Sequence, residues 1–213
     1  GRVSVEFADG EPAYEIVHPV AFDAIAVQSS PVEFDWLYHG SLALRADASR
    51  KALERLASRR TFLDVNLRSP WWSRESVLDR VRRADWVKLN LDELEQLTGQ
   101  RADHAATELV ESCDLEGLLV TSGSRGARIL TAGGETAGVA PRRQIEVVDT
   151  VGAGDAFAAV TIFGLTRDWR LDDLLERAQQ FASAICGQRG ATIKDPSFYA
   201  RFLAEWGLEK ATD

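Results

Sequence analysis

Methionine is absent from the 213-residue sequence, and histidine and cysteine are scarce. The three histidines (His18, His39 and His104) and the two cysteines (Cys113 and Cys186) are scattered, so their spacing matches no zinc-binding motif. No apolar run approaches the roughly 18 residues that a membrane-spanning helix needs. Acidic residues outnumber basic ones by 33 to 25, and no segment concentrates positive charge. These absences predict a protein of the reducing cytoplasm that binds neither membranes nor nucleic acid.

The missing methionine also leaves the chain without a start residue. Its first residues, GRVSVEF, already have the pattern of a strand interior. We therefore expect a fragment or a processed product, with further sequence ahead of Gly1.

The order of apolar patterns predicts an α/β fold. Two alternating runs in residues 3–17 flank Asp9-Gly10, a pair typical of hairpin turns. From residue 36 onward, short apolar runs alternate with amphipathic segments, which favours a mostly parallel sheet with helices on both faces. An apolar run over 36–44 ends in a possible strand, and strands are predicted at 61–68, which ends in polar residues, and at 86–90. The segments 117–123 and 145–155 are each predicted to be a strand that runs into a glycine turn, and a second hairpin is predicted at 127–140. The predicted helices are 46–59, 73–84, 91–99, 156–166, 171–187 and 196–207.

The most informative segment is DTVGAGD, residues 149–155, which is predicted to follow a strand and open a helix. Gly152 and Gly154 allow a tight turn that exposes backbone N–H groups, and the helix N-terminus adds unpaired donors. Together they form an anion hole suited to a phosphate. Asp155, in the first helical turn, could accept the proton of an attacking hydroxyl. The competing interpretation is a glycine turn in which Asp155 only caps the helix. The segment matches neither GxxxxGK[ST] nor GxGxxG.

Three other predicted strand ends carry polar or glycine-rich tips. KLNLDE places Asn90 and Glu93 at one loop edge, where they suit water-mediated binding of Mg²⁺ or simply cap the next helix. TSGSRG, residues 121–126, allows a ligand to approach closely or forms an ordinary turn. DVNLR ends in Arg68, which suits bidentate phosphate binding or a solvated surface position. Ligands of parallel sheets bind at the carboxyl ends of the strands. The polar or glycine-rich strand ends taken together therefore indicate a ligand site more strongly than any one of them does.

These motifs together resemble those of the ribokinase-like (PfkB) sugar kinases. DTVGAGDAF is similar to the family signature, and FLDVNLR, WVKLNLDELEQLTG and LLVTSGSRGARI resemble its other segments in the same order. ASAICGQRGA resembles the adenine-side and cation-loop region, and the opening VSVEFADGEPAYEIVHPVAFDAI is most similar to the fructokinase branch. The resemblance implies a three-layer α/β domain over residues 21–213, with residues 1–20 forming part of a β lid.

The activity implied by the resemblance is phosphoryl transfer from ATP to a sugar hydroxyl, with fructose as the first candidate acceptor. 2-Keto-3-deoxygluconate kinase, ribokinase and a nucleotide-binding module without turnover are the alternatives. Asp155 is the implied catalytic base, and the implied anion hole is Gly152, Ala153 and Gly154. Asn66 and Arg68 join Asp155 as candidate sugar-site residues. The residues implied for the ATP site are Lys88, Asn90, Thr121, Ser122, Gly123, Ser124, Gly126 and Gly187.

The resemblance also implies cations. Asn90 and Glu93 match the NxxE motif that holds Mg²⁺ through water. A loop for a monovalent cation such as potassium is also implied, although Lys194 stands where some members have a small polar residue. The groups implied for that loop are Asp149, Val151, Gln188 and Gly190.

One family segment has no counterpart here. A glycine pair followed by an asparagine, which contacts the sugar, is expected ahead of Gly1. The resemblance further implies small-molecule partners only, namely the sugar and ATP, and a homodimer formed through the lid.

Overall fold

The computed structural model describes residues 3–8, 11–27, 33–101, 103–141 and 146–208, with the backbone alone for residues 3–15. The chain divides into two compact units, Gly1–Val87 and Lys88–Asp213. Strand pairing gives a two-stranded sheet and a six-stranded sheet whose strands follow one another in chain order. In the described part of the chain, no helix is long and apolar enough to cross a membrane. The predicted α/β class with a mostly parallel sheet is confirmed.

The first unit contains the predicted hairpin and a parallel strand pair. The hairpin strands are antiparallel, with Val3 opposite Ile16, while its tip at residues 9–10 lies outside the described residues. In the parallel pair, Leu37 lies opposite Thr61. The elements are β1 (Val3–Ala8), β2 (Glu11–Ile16), β3 (Glu33–Gly40), α1 (Asp47–Leu53), β4 (Ala57–Asp64) and α2 (Arg74–Val81).

Local sequence signals explain where α2 begins, but not where α1 ends. Ser73 caps α2 as predicted, because its Oγ accepts the Ser76 N–H at 3.3 Å. The predicted helix 46–59 is wrong beyond Leu53, since the chain from Ala57 onward pairs with β3 instead. Phe62, on the resulting strand, is fully buried in the core.

The second unit contains most of the predicted helices and the second hairpin. That hairpin is confirmed, because β6–β7 and β7–β8 are antiparallel. Gly99 ends α3 in the left-handed conformation, with φ of +79°. The elements are β5 (Trp86–Asn90), which begins at the end of the first unit, α3 (Leu91–Thr98), α4 (Asp103–Ser112), β6 (Gly117–Thr121), β7 (Ala127–Thr131), β8 (Thr136–Val139), α5 (Ala153–Leu165), α6 (Leu171–Cys186) and α7 (Pro196–Glu205).

Two predictions in this unit need correction. The helix α4 was not predicted at all. Of the strand and glycine-rich turn predicted within 145–155, the strand is wrong in its described part, because residues 146–150 are irregular, while the turn lies at Val151-Gly152 and α5 begins at Ala153. These residues instead form hydrogen bonds with the end of α6, as described below.

Candidate active site

The N-terminus of α5 is built on a glycine that no other residue could replace without strain. Gly152 is the N-cap, with φ of +84°, in the left-handed region that L side chains rarely adopt. A Cβ added there would lie 2.6 Å from the Cβ of Ala191. The sequence therefore allows the start of α5 to pack directly against the backbone at residue 191.

Positive charge lies beside this helix start. A Cβ added to Gly154 would lie 3.4 Å from Nζ of Lys88, a buried residue of β5. The N–H groups of Gly152 and Gly154 have no hydrogen-bond partner among the described residues, whereas the N–H of Ala153 donates to Thr150 O at 3.3 Å. Two orphan donors, a helix dipole and an ammonium group therefore favour an anion here. Asp155 lies in the same turn with an exposed side chain.

Hydrogen bonds hold the loop before α5 against the segment after α6. The N–H groups of Val148 and Asp149 both donate to Cys186 O, at 2.9 and 3.2 Å. The carboxylate of Asp149 accepts the Val151 N–H and the Gly190 N–H, each at 3.0 Å. These backbone hydrogen bonds hold the pKa of Asp149 below its usual value. Three of the residues implied for a monovalent-cation loop, Asp149, Val151 and Gly190, thus lie together. The carboxylate of Asp149 already accepts two backbone N–H groups there.

A cavity of about 670 Å³ adjoins the start of α5. This volume suits a small-molecule ligand. Gly154 and Thr121 lie at its polar end, whereas the buried Phe157 and Ala182 contribute apolar wall. The lining residues are Thr121, Gly123, Ser124, Gly126, Pro141, Val147, Thr150, Ala153, Gly154, Phe157, Gln179, Ala182, Ser183 and Cys186.

The turn after β6 brings backbone close to this cavity. The Ser122 N–H donates to Gly126 O at 2.8 Å, which closes the turn around Gly123, whose φ is +56°. Gly126 has φ of +97°, and a Cβ added there would lie 1.8 Å from Val139 O. The positive φ favours glycine at both positions, and at Gly126 the close approach of Val139 O excludes any side chain.

Asn90 and Glu93 form a capping box at the start of α3. Asn90 Oδ1 accepts the Glu93 N–H at 2.9 Å, and Glu93 Oε2 accepts the Asn90 N–H at 2.8 Å. Glu93 is buried, with 6% of its surface exposed. The capping interpretation is thus confirmed, and the water-mediated Mg²⁺ role stays a prediction. Within the described residues, no three or more His, Cys, Asp or Glu side chains gather as direct metal ligands.

Three predicted residues lie outside this arrangement or in the other unit. Gly187 is the C-cap of α6, with φ of −78°, and does not line the cavity. Arg68, in the first unit, is exposed and donates from Nη1 to Leu67 O at 3.2 Å. Asn66 precedes it in the left-handed region, with φ of +42°. Their proposed contact with a sugar stays a prediction.

The resemblance of ASAICGQRGA to the adenine-side region covered the end of α6, but sequence reasoning named no ligand within that helix and missed Gln179. Gln179, Ala182, Ser183 and Cys186 all line the cavity, and Gln179 Nε2 donates to Ser183 Oγ at 3.1 Å. Their spacing of i, i+3, i+4 and i+7 places them on one helix face. In the sequence, the signal for this wall of the cavity was a helix face that combines polar and small residues at this spacing. Burial raises the pKa of the Cys186 thiol, and the charge of Asp149 adds to the effect.

Comparison with known protein families gives a match over most of the chain. A family model described as pfkB family carbohydrate kinase matches residues 18–197. Aminoimidazole riboside kinase from Salmonella typhimurium is 35% identical over 202 residues, which cover 88% of this chain and 62% of that protein. Fructokinase-2 from Zea mays is 30% identical over 174 residues, covering 74% of this chain and 50% of that protein. The chain thus spans about half to two thirds of the length of these curated relatives.

Solved structures share the fold. Fructokinase from Vibrio cholerae O395, in its fructose-, ADP- and calcium-bound form, aligns with a TM-score of 0.74 and 24% identity, covering 93% of this chain and 72% of that one. Aminoimidazole riboside kinase from Salmonella enterica, complexed with aminoimidazole riboside and an ATP analogue, aligns with a TM-score of 0.69 and 27% identity, covering 94% of this chain and 73% of that one.

Proposed function

Because the chain belongs to the pfkB family of carbohydrate kinases, we propose that it acts as an ATP-dependent sugar kinase. The observation that carries the proposal is the start of α5. There, Asp155 and two glycine N–H groups that have no partner among the described residues lie within one turn. The ammonium of Lys88, from β5, lies beside Gly154, and a cavity large enough for a small ligand adjoins them.

We place ATP in the cavity of about 670 Å³. Its apolar walls, which include Phe157 and Ala182, suit the faces of a purine ring. Its polar end, at Gly154, suits the phosphates, because the helix dipole and the Lys88 ammonium both attract negative charge there. The backbone turn around Gly123 and Gly126 forms a further part of the wall, without side chains that would block the ligand.

The proposed reaction is an in-line displacement at the γ-phosphorus. A sugar hydroxyl oxygen forms a bond to phosphorus, the bond to the β-phosphate oxygen breaks, and ADP leaves with that electron pair. Asp155 accepts the hydroxyl proton, and the N–H groups of Gly152 and Gly154 stabilise charge on the transferring group. These donors are fixed before the reaction by the hydrogen bonds that hold the loop 148–151 to the end of α6.

Magnesium fits this arrangement through water. Asn90 and Glu93 offer the oxygen donors that Mg²⁺ prefers, but the capping box uses one oxygen of each for a backbone N–H. We therefore propose that the nucleotide phosphates and water coordinate the ion, with Asn90 and Glu93 contacting its water shell. When bound, Mg²⁺ neutralises charge on the β- and γ-phosphates. A monovalent cation near Asp149 and Gly190 is proposed in addition.

The acceptor is proposed to be fructose, with aminoimidazole riboside as the second candidate. Several relatives that are about 30% identical over three quarters of this chain are fructokinases. The second candidate is favoured by a specific observation, since the match to aminoimidazole riboside kinase is longer and reaches 35% identity. The hairpin β1–β2 is proposed to act as a lid over the sugar, and also as the contact of a homodimer.

Separate measurements of ATP binding and ADP release test the proposal. The purified full-length protein is titrated with ATP by calorimetry, and ADP release is then followed with fructose, aminoimidazole riboside, 2-keto-3-deoxygluconate and ribose. We expect ATP binding together with ADP release that depends on one of the first two acceptors. Binding without acceptor-dependent release would instead indicate a module without turnover. Absence of ATP binding would overturn the proposal.

A further inference from the structure

A second cavity lies within the first unit and shares no residue with the candidate active site. Its volume is about 380 Å³, and it is lined by Arg45, Arg50 and Arg80 together with Trp71 and Trp72. None of the described residues that line it is acidic. Three guanidinium groups around one small cavity need either counter-charges from outside its wall or an anionic ligand.

Arg45 is the most constrained of the three arginines. Its side chain is only 2% exposed, its Nε donates to Asp23 Oδ1 at 2.7 Å, and its Nη2 donates to Asp23 Oδ2 at 2.8 Å and to Val17 O at 3.0 Å. The guanidinium lies over the Trp71 ring, 4.4 Å from its centroid. Its Nη1 is buried and has no hydrogen-bond partner among the described residues. Leaving a buried donor without an acceptor destabilises the protein, so an acceptor that reached Nη1 would be favoured.

The three arginines differ in how far their charge is neutralised. Asp23 neutralises Arg45, and Asp47 forms an ion pair with the partly exposed Arg50. Arg80, which is half-buried on α2, has no carboxylate partner among the described residues. Burial lowers the pKa of His39, and the positive charge of Arg80 lowers it further. Two of the three guanidinium charges are thus offset and that of Arg80 is not, so the net charge of the arginines and their partners at the cavity is positive.

We propose that this cavity binds a small phosphorylated metabolite. Arg80 and Arg50 hold the phosphate, because a phosphate dianion matches the paired N–H donors of guanidinium groups. The half-buried rings of Trp71 and Trp72 contact the organic part. The Nη1 of Arg45, which has no acceptor among the described residues, is a further donor for a phosphate oxygen that reaches it.

Calorimetric titration of the full-length protein with inorganic phosphate and with glycerol 3-phosphate tests this proposal, with glycerol and chloride at matched ionic strength as controls. Arg80→Gln should weaken the binding of both probes by about tenfold or more, a loss typical of a charged hydrogen-bonding group. Arg82→Gln is the matched control, because Arg82 is exposed at the end of the same helix. It should leave the Kd within about twofold.

The start of α5 also attracts phosphate, so the titration is repeated with Lys88→Gln. Loss of binding in Lys88→Gln but not in Arg80→Gln would locate the phosphate at α5 and overturn the proposal. Equal binding by Arg80→Gln and Arg82→Gln, or no heat at millimolar phosphate, would overturn it as well. Circular dichroism checks that each variant is folded, and Arg50→Gln replaces Arg80→Gln if the latter is not.

Discussion

Replacing Gly152 with alanine should disturb the start of α5 in two ways that the structure separates. The φ of +84° costs a residue with a Cβ roughly 1–2 kcal/mol. The new Cβ would also lie 2.6 Å from Ala191 Cβ and 2.7 Å from Ala191 Cα. Carbon atoms normally approach to about 3.5–4.0 Å, so the loop must move, at a cost of about 1–3 kcal/mol. We expect a total loss of about 2–5 kcal/mol in the free energy of unfolding.

Gly99→Ala is the matched control. Gly99 has nearly the same φ, +79°, but an added Cβ meets no atom within 4 Å. Its N–H bond to Glu95 O is kept in the variant. Urea unfolding followed by circular dichroism should therefore show a loss of only about 1–2 kcal/mol, the backbone cost alone.

The two variants should also differ in activity. The clash at Gly152 displaces the N–H donors and Asp155, and a displacement of about 1 Å can lower the rate by about 10²-fold. We expect kcat for ADP release to fall by about that factor in Gly152→Ala and to change little in Gly99→Ala. Equal stability of the two variants, together with a near-normal kcat in Gly152→Ala, would refute the proposed packing of α5 and its role.

Three further predictions concern other parts of the chain. Glu93→Gln keeps an oxygen for the capping box but removes the charge, so the Mg²⁺ concentration that gives half the maximal rate should rise while the melting temperature changes little. An unchanged Mg²⁺ titration would argue against the metal role of Glu93. Cys186 lines the cavity and its thiol has a raised pKa, so its alkylation should become faster as the pH rises and slower when ATP is bound. The buried Cys113 should stay unreactive, and an alkylation rate of Cys186 that does not depend on ATP would contradict the placement of the nucleotide. Arg45 lowers the pKa of Asp23 from 3.8 to about 2, so this ion pair stabilises the fold above about pH 4, and the stabilisation is lost as the pH falls towards 2. In Asp23→Asn, the free energy of unfolding should no longer fall over this pH range through this pair, and an acid transition identical to that of the unmodified protein would contradict the prediction.

The parts of the fold predicted correctly depend on local signals. Ser73 caps α2 and Gly99 ends α3, as the sequence predicts, because each forms its hydrogen bonds within one helical turn. The hairpin around Gly133-Gly134 is confirmed for the same reason, since Gly134 adopts the left-handed conformation that the turn needs.

The incorrect secondary-structure predictions fall where contacts between residues far apart in the sequence determine the structure. Residues 57–59 have helical spacing, yet strand pairing with β3 overrides that preference. Residues 146–149 have the apolar pattern of a strand, but two of their N–H groups bind Cys186 O. The local sequence does not predict this hydrogen bonding, because Cys186 lies almost forty residues further along the chain.

The candidate site was predictable in part. DTVGAGD indicated a glycine turn with exposed N–H groups and Asp155 in the first helical turn, because both features follow from the local sequence; the catalytic role of Asp155 stays a prediction. Lys88 was predicted near the ATP site only by family resemblance. Its closeness to Gly154, seen in the structure, joins two residues that lie far apart in the sequence, and no local pattern shows it.

The rate of Asp155→Asn tests the central claim, that phosphoryl transfer takes place at the start of α5. If Asp155 accepts the hydroxyl proton, kcat for acceptor-dependent ADP release should fall by about 10²-fold or more, while the Kd for ATP stays nearly unchanged. Asp172→Asn is the control, because Asp172 is likewise an exposed acid in the first turn of its helix, and both variants should lose the same small stabilisation of about 0.3–1 kcal/mol. A kcat in Asp155→Asn equal to that of Asp172→Asn would contradict the account.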